Sequence, residues 1–305
     1  MRAPPPGGEF AFMQAADGAS IRYAFWPSEE GKPIIIFLPG FRETIEKHFE
    51  TIEDLQKRGL GVYTLDWRGQ GLSTRALDNR QKTHVEDFGL YIADLQQLIA
   101  TRVKPETSGP LYFFCHSMGG HIALRYLHDE RYEIEGAILA APMFDIWTPP
   151  GLRWLFTGVT ALVNALGFGQ AYGMGRGDYG PFYQKFDGNR LTSDQARFEE
   201  DHNQLAAQPA LQSGGPTWGW FKAAWSSIRL IKDERYLKAM GVPIYIIQAG
   251  EDGVVNNRAQ NWVDARLNTS HMFHIDGARH ELLREQDQYR DQLWALFDRF
   301  FEVRG

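Results

Sequence analysis

One serine in the chain occupies the position of a catalytic nucleophile. The apolar run 111–115 leads through His116 to Ser117, which precedes a helical pattern that starts with Met-Gly-Gly. A buried strand that turns sharply into a helix leaves such a serine at the apex, in strained backbone geometry. Free N–H groups at the helix start favour the negative charge that develops during attack on a carbonyl. The pattern predicts that Ser117 is the nucleophile of an acyl-transfer reaction.

A serine nucleophile needs a base within hydrogen-bond reach and an acid that orients the base. Where the serine stands in such a strand-to-helix turn, the acid and then the histidine follow it along the chain. Asp252 comes just after a strand-like run, and His280 comes after the last such run. The interval between them accommodates one helix and one strand. We therefore predict Ser117, Asp252 and His280 as the catalytic residues.

Other residues compete for the acid and base roles. Asp145, soon after the strand-like run 136–140, is an alternative position for the acid. His116 and His121 flank the nucleophile, but sequence neighbours cannot easily reach around the turn to its hydroxyl. The remaining histidines fall in predicted helices, at helix ends or beside a predicted strand, where surface or packing roles are expected: His48, His84, His128, His202, His271 and His274.

The tetrahedral intermediate of acyl transfer needs two backbone N–H donors for its oxyanion. One is expected from Met118, the residue after the nucleophile. The other is expected from the loop 39–43 after the first buried strand, with Phe41 as the candidate. The alternative is that this loop is an ordinary strand–helix connection. The proposed chemistry requires no metal ion and no organic cofactor.

Strand-like and helix-like patterns alternate along most of the chain. The runs 9–15 and 19–26 flank Asp17-Gly18, a strong hairpin signal, and 34–38 is a continuous apolar run typical of a buried parallel strand. Such alternation predicts an α/β fold whose mostly parallel sheet is covered by helices on both faces. Further strands are expected at 62–65, 111–115, 136–140, 243–248 and 272–275, and helices over about 45–58, 85–99, 118–128 and 289–300.

The alternation breaks between about Met143 and Leu237, where helical patterns, glycines and aromatic residues dominate. We interpret 143–237 as a helical cap inserted into a core formed by 1–142 and 238–305. Ligand pockets are mostly apolar, so cap side chains could line an acyl-chain channel. Packing within the cap itself is the more common role for such residues. The candidates for substrate contact are Trp147, Trp154, Phe156, Trp218 and Trp220.

Composition excludes several classes of protein and of partner. The net charge of −6 argues against a nucleic-acid partner. A single cysteine, Cys115, excludes an intrachain disulfide. The most apolar stretch, 152–168, is too short for a membrane span, and its polar face is poor in basic residues. We expect a soluble, cytoplasmic protein acting on a small-molecule or lipid substrate; peripheral membrane contact and oligomeric state stay open.

Several motifs together resemble the lysophospholipase and monoacylglycerol-lipase branch of the α/β-hydrolases, closest to bacterial lysophospholipase L2-like proteins. The resemblance spans about residues 21–301, and the combination is far more specific than any one motif. The motifs are Leu38-Pro-Gly-Phe-Arg-Glu-Thr-Ile-Glu-Lys-His48, Asp66-Trp-Arg-Gly-Gln-Gly-Leu-Ser73, His116-Ser-Met-Gly-Gly120, Gly250-Glu-Asp252 and Gly277-Ala-Arg-His-Glu281.

The resemblance implies the α/β-hydrolase fold and a cytoplasmic or membrane-peripheral esterase of mono-acyl glycerolipids. It also implies the triad and the two oxyanion donors named above. Two departures could reshape the site: Pro39 stands where the family commonly has histidine, and Cys115 replaces the usual first glycine around the nucleophile. Arg68 and the glycines beside it are expected to brace the loop after a strand.

Rival functions remain. A short-chain carboxylesterase, a thioesterase and a proline-type aminopeptidase would use the same catalytic groups. A binding protein of the same fold that has lost turnover is a rival from another class. A dehalogenase or an epoxide hydrolase is excluded, because those enzymes need an aspartate where Ser117 stands.

Overall fold

The computed structural model describes residues 2–129, 134–181 and 183–303, which contain eight strands. They are β1 (Glu9–Gln14), β2 (Ser20–Trp26), β3 (Ile34–Leu38), β4 (Gly61–Leu65), β5 (Leu111–His116), β6 (Ile134–Ala140), β7 (Ile244–Ala249) and β8 (Ser270–Ile275). They form one sheet in the order β1-β2-β4-β3-β5-β6-β7-β8. β1 pairs antiparallel with β2, and β2 with β4; all other pairs are parallel. The prediction of a mostly parallel sheet is confirmed.

The predicted hairpin joins β1 and β2. Gly18 has φ +84°, a conformation that glycine adopts without a steric penalty. The Asp17 carboxylate accepts a hydrogen bond from the Ala19 N–H at 3.1 Å. The turn therefore follows directly from the Asp-Gly pair in the sequence.

Helices cover both faces of the sheet. Along β3, Ile36 and Leu38 pack into the apolar cluster that also contains buried residues of α2, α4 and α9, whereas Ile35 and Phe37 pack with α1 and α10 on the other face. The helices are α1 (Phe49–Lys57), α2 (Gly89–Leu98), α3 (Lys104–Glu106), α4 (Met118–Asp129), α5 (Arg153–Ala165), α6 (Gln195–Ala207), α7 (Trp218–Ile231), α8 (Glu234–Lys238), α9 (Asn257–Asp264) and α10 (Asp287–Glu302). A π-helical turn (Ile99–Val103) follows α2, and 3₁₀ turns lie at Ile45–His48, Pro209–Leu211 and Leu282–Arg284.

The helix predicted over 85–99 begins later than expected. Its first residue is Gly89, and the Asp87 side chain accepts a hydrogen bond from the Gly89 N–H at 2.5 Å. Val85 and Phe88 are buried in the core but lie before the helix. His84 is also outside any helix, and its ring contacts the Thr217 hydroxyl at 2.7 Å. The apolar spacing predicted correctly which residues are buried. It predicted the helix start wrongly, because the Asp87 side chain forms a local turn that competes with the helix.

Helices α5 to α8 lie between β6 and β7, and α5 packs against α7. Within 143–181 and 183–237, the parts of this interval that the structure describes, there is no strand. The described part of the chain also contains no helix that is both long and apolar enough to cross a membrane.

Candidate active site

Ser117 lies at the turn between β5 and α4. β5 ends at His116, α4 begins at Met118, and Ser117 between them has φ +51°. A non-glycine residue at positive φ is strained and persists only where its surroundings fix it. The Ser117 N–H donates to the Ala140 carbonyl at 3.0 Å, which anchors the turn to β6. The strained nucleophile position expected from the sequence is therefore present.

The residues around the turn explain how strand and helix come so close. A Cβ on Gly119 would lie 2.1 Å from the Leu38 carbonyl oxygen, so this position needs glycine. Cys115, where the family usually has glycine, is fully buried in the apolar core. Burial raises the pKa of its thiol well above the ordinary value, so the group stays neutral. The cysteine thus acts as a small apolar side chain in the strand.

His280 links the serine to a carboxylate. Its Nε2 lies 2.9 Å from Ser117 Oγ, and its Nδ1 lies 2.7 Å from Asp252 Oδ2. An ionised carboxylate only accepts hydrogen bonds, so Nδ1 carries the hydrogen. The lone pair of Nε2 is then directed at the serine hydroxyl. This tautomer is the one that can take a proton from Ser117.

The loop after β7 fixes the Asp252 carboxylate. Its Oδ1 accepts hydrogen bonds from the N–H groups of Val254 at 2.8 Å and Val255 at 3.0 Å. Burial raises the pKa of this carboxyl, but His280 and the two backbone donors more than offset that effect and lower it. Asp252 therefore remains ionised beside His280.

The alternative acid, Asp145, lies in a different setting. Its Oδ2 accepts from Lys232 Nζ at 2.7 Å and also contacts the Arg153 guanidinium. The carboxylate is buried and occupied by these two cations. The structure thus brings Asp252, rather than Asp145, to His280.

The loop after β3 holds Phe41 between two anchored amides. The Gly40 N–H donates to Glu43 Oε2, and the Arg42 N–H donates to Gln70 Oε1. Arg42 has φ +64°, so the chain turns sharply at this point. The N–H of Phe41, the predicted oxyanion donor, lies in the chain between these two anchored amides. Met118 is the first residue of α4, and the N–H of a first helical residue has no acceptor within its own helix.

Residues of the segment after β4 contact the loop after β3 and hold it in place. The Trp67 indole N–H donates to the Pro39 carbonyl at 2.8 Å, and the buried Asp66 carboxylate accepts from the Ile45 N–H at 3.0 Å. Arg68 pairs with Asp94, its Nη2 lying 2.6 Å from Asp94 Oδ1. These contacts fit the bracing role expected for the 66–73 motif. The sequence did not single out Gln70 or Glu43, although both stood in quoted motifs.

The candidate residues for substrate contact differ in their surroundings. Trp220 is buried, and its ring centroid lies 4.6 Å from that of Phe41. Trp147 is partly exposed and lies under the Arg190 guanidinium, whereas 73% of Trp154 is exposed. Phe156 and Trp218 are half-buried. Trp220 therefore touches the predicted oxyanion loop, and an acyl-chain channel lined by these five residues stays a prediction.

The fold and the arrangement of Ser117, Asp252 and His280 are those of an α/β-hydrolase. A solved structure of a soluble variant of monoglyceride lipase from Saccharomyces cerevisiae, in complex with a substrate analog, superimposes with a TM-score of 0.75 at 20% identity. The match covers 98% of this chain and 97% of that one. A carboxyl esterase from Bacillus coagulans matches with a TM-score of 0.74 at 17% identity, over 98% of this chain and 99% of its own. The expected α/β-hydrolase fold is confirmed.

Residues 29–287 match the family described as serine aminopeptidase, S33, and the chain belongs to that family. Among curated relatives, lysophospholipase L2 of Escherichia coli K12 is 29% identical over 95% of this chain and 86% of its own length. The probable lysophospholipase L2 of Haemophilus influenzae is 27% identical over 93% of this chain and 88% of its own length. The resemblance stated from the motifs is thus confirmed.

Proposed function

We propose that the protein is a lipid ester hydrolase that cleaves mono-acyl glycerolipids through an acyl-enzyme on Ser117. The observation that carries the proposal is the pair of hydrogen bonds at His280, which joins Ser117 Oγ on one side and Asp252 on the other. This geometry supports acyl transfer, because a polarised serine hydroxyl with a correctly oriented base attacks carbonyl carbon.

In the proposed cycle, His280 takes the Ser117 proton as Oγ attacks the ester carbonyl. The N–H groups of Phe41 and Met118 stabilise the oxyanion, each contributing about 3 kcal/mol to transition-state stabilisation. His280 then protonates the departing glycerol oxygen, and Ser117 keeps the acyl group. Water activated by the same histidine releases the fatty acid and restores the serine. Asp252 holds the His280 tautomer and stabilises the imidazolium that forms.

The names of the relatives support a lipid substrate. The two curated relatives described above are named as lysophospholipases, and the S. cerevisiae neighbour is a monoglyceride lipase. The substrates in both enzyme names, a lysophospholipid and a monoglyceride, are esters with one acyl chain. We therefore assign this chain a lysophospholipid or a monoacylglycerol, and not a diacyl lipid, as substrate.

We further propose that the 143–237 segment acts as a cap over the site. Ser117 is 5% exposed and His280 is 3% exposed, so only a small part of each residue is open to solvent. Helix α5 and the turn after it carry large apolar side chains on the surface, including Trp154, Leu162 and Phe168. Exposed apolar surface of this kind fits contact with a lipid interface. The proposal places the protein in the cytoplasm with peripheral membrane contact.

The test is a substrate panel with purified wild-type protein and the Ser117→Ala variant. The panel contains a lysophospholipid, a monoacylglycerol, short-chain esters, an acyl thioester and an aminoacyl amide. The proposal predicts the highest kcat/KM for the two mono-acyl glycerolipids and no turnover by Ser117→Ala. A preference for short esters, thioesters or amides would show that the proposed substrate class is wrong. Failure of a fluorophosphonate to label the wild-type protein would favour a binding protein without turnover.

A further inference from the structure

His116, the residue before Ser117, lies between two hydrogen-bond acceptors. Its Nδ1 is 3.0 Å from Glu43 Oε1, and its Nε2 is 3.1 Å from the backbone carbonyl oxygen of His280. The side chain is almost completely buried. A carbonyl oxygen cannot donate a hydrogen bond, and neither can an ionised carboxylate. Both contacts are satisfied together only if both ring nitrogens carry hydrogen.

The Glu43 carboxyl is surrounded by donors. The Gly40 N–H donates to it, Lys47 Nζ lies 3.0 Å from Oε1, and His48 Nε2 lies 3.0 Å from Oε2. Burial raises the pKa of this carboxyl, but the neighbouring His116 and Lys47, together with the hydrogen bonds that the carboxyl accepts, hold it well below its ordinary value. Glu43 is therefore ionised, and its contact with His116 requires a hydrogen on Nδ1.

The charges of this buried cluster balance only if His116 is positive. Two carboxylates, Glu43 and Glu281, face Lys47, whose Nζ lies 3.0 Å from Glu43 Oε1 and 2.5 Å from Glu281 Oε1. Asp201 Oδ2 is farther away, at 3.9 Å from Lys47, and its other oxygen pairs with an arginine. A neutral His116 would leave one of two buried carboxylates uncompensated, which is costly in a protein interior. Burial lowers the pKa of His116, but Glu43 more than offsets this and raises it.

His48 provides an internal comparison. It contacts the same carboxylate through Nε2, but its Nδ1 is buried and has no hydrogen-bond partner among the described residues. Burial lowers the pKa of His48. A neutral ring with hydrogen on Nε2 satisfies this arrangement, because Nε2 faces an acceptor and Nδ1 faces none. The two histidines that share Glu43 should therefore differ in charge.

We propose that His116 is a permanently protonated positioning residue that joins the Glu43 carboxylate to the His280 backbone carbonyl. Glu43 holds Gly40 in the loop of the oxyanion donor Phe41, so the imidazolium connects that loop to the loop of the catalytic base. The ring centroids of His116 and His280 are 5.0 Å apart, so the imidazolium lies directly beside the histidine that it positions. The catalytic consequence rests on the proposed function, whereas the charge state does not.

The direct test is ¹⁵N NMR of the histidine rings in the wild-type protein. The spectrum is recorded at about pH 8, above the range in which an unperturbed histidine is protonated. Each ring is assigned through its own backbone resonances, so no variant is required. The proposal predicts hydrogen on both nitrogens of His116 and on one nitrogen of His48. A His116 ring with an unprotonated nitrogen at this pH overturns the proposal, whether or not the protein hydrolyses esters.

Kinetics of His116→Gln and His48→Gln test the positioning role. Glutamine can donate to Glu43 but carries no charge. For His116→Gln we expect kcat to fall by about tenfold to a hundredfold with little change in KM, since a group that orients the base acts in the transition state. His48→Gln, which changes a neutral ring, should lower kcat less.

Equal kcat values for His116→Gln and wild type would overturn the positioning role. If the wild-type protein hydrolyses no member of the substrate panel, the proposed function fails, and the NMR result still decides the charge of His116. If His116→Gln does not fold, the wild-type NMR spectrum decides the charge and Glu43→Gln takes its place in the kinetic test. Glu43→Gln removes the carboxylate that holds the His116 charge, so the same fall in kcat with little change in KM is expected, and its absence overturns the role.

Discussion

The Asp145 carboxylate lies 2.7 Å from the Lys232 ammonium, in the loop that follows β6. Arg153, at the start of α5, contacts the same oxygen, so the carboxylate joins α5 and α7 to the end of the sheet. Burial, and then the charge of Arg153, lower the pKa of Lys232 to about 8. Asp145 therefore holds the ends of α5 and α7 together within the 143–237 segment, although the sequence alone left it as an alternative catalytic acid.

Substitution of the two aspartates separates these roles. Asp252→Asn should lower kcat by about 10³-fold to 10⁴-fold, because an amide stabilises the wrong His280 tautomer. Asp145→Asn should keep kcat within about threefold of wild type and lower the melting temperature, since two partly exposed cations lose the buried carboxylate that they share. Steady-state kinetics and thermal unfolding of both variants provide the check. The reverse pattern would make Asp145 the acid and Asp252 structural.

The stability of the fold should depend on pH through Glu50. Its carboxylate lies 2.8 Å from Arg197 and 2.8 Å from Arg284; burial raises its pKa, but these arginines lower it to about 2. A lowered folded-state pKa stabilises the protein fully above the unfolded value near 4.5, and this contribution disappears as the pH falls towards about 2.

Glu50→Gln should therefore lower the free energy of unfolding by roughly 3 kcal/mol at neutral pH. The difference from wild type should shrink as the pH falls below about 4.5. Urea unfolding of both proteins across this pH range measures the difference in unfolding free energy. Glu53→Gln, on the same helix with a single partner, Arg2, serves as the control and should change little. A difference between Glu50→Gln and wild type that does not vary with pH would contradict the assigned cause.

The close approach of α4 and β3 predicts that Gly119→Ala is destabilising. The added Cβ would meet the Leu38 carbonyl oxygen at 2.1 Å, and backbone atoms cannot move aside as a flexible side chain can. We expect a loss of about 1–3 kcal/mol in stability. Gly158→Ala is the matched control, because Gly158 lies in α5 with nothing within 4 Å of an added Cβ. That variant should gain up to about 1 kcal/mol. Chemical unfolding of both variants is the measurement.

The exposed apolar side chains of α5 predict binding to lipid vesicles. Leu162 is 59% exposed, and Leu166, directly after α5, is 63% exposed. The double variant Leu162→Ser, Leu166→Ser should lower vesicle partitioning by about tenfold or more, since each side chain contributes apolar area to the bilayer interface. Hydrolysis of a water-soluble ester should stay close to wild type. Phe12→Ser, at an exposed position on β1, is the control. Unchanged partitioning of the double variant would remove α5 from the membrane contact.

Much of the fold was predictable because its signals are local. The Asp17-Gly18 turn and the apolar run of β3 each encode one element without help from distant residues. The start of α2 was not predictable from apolar spacing, since Val85 and Phe88 are buried by the tertiary fold and not by a helix. Periodicity reports which side chains are buried, and a side-chain turn such as that at Asp87 can decide the backbone independently.

The candidate site was predictable to the extent that each group has its own motif. The sequence named Ser117, Asp252 and His280, and the structure brings both Ser117 and Asp252 within hydrogen-bond distance of His280. The pairing of His116 with Glu43 could not be predicted, because it joins residues 73 positions apart in a buried cluster. The sequence favoured Asp252 and left Asp145 as an alternative, since both follow strands at the same edge of the sheet, and the structure places Asp252 beside His280.

The most direct test of the central claim is identification of the acyl-enzyme. A long-chain monoacylglycerol or lysophospholipid is mixed with the protein, and the reaction is quenched with acid within one turnover. The protein is then digested and the peptides are analysed by mass spectrometry. The acyl group should appear on the peptide that contains Ser117, and it should be absent from the Ser117→Ala variant. Release of fatty acid that persists in Ser117→Ala, or an acyl group on another residue, would contradict the account.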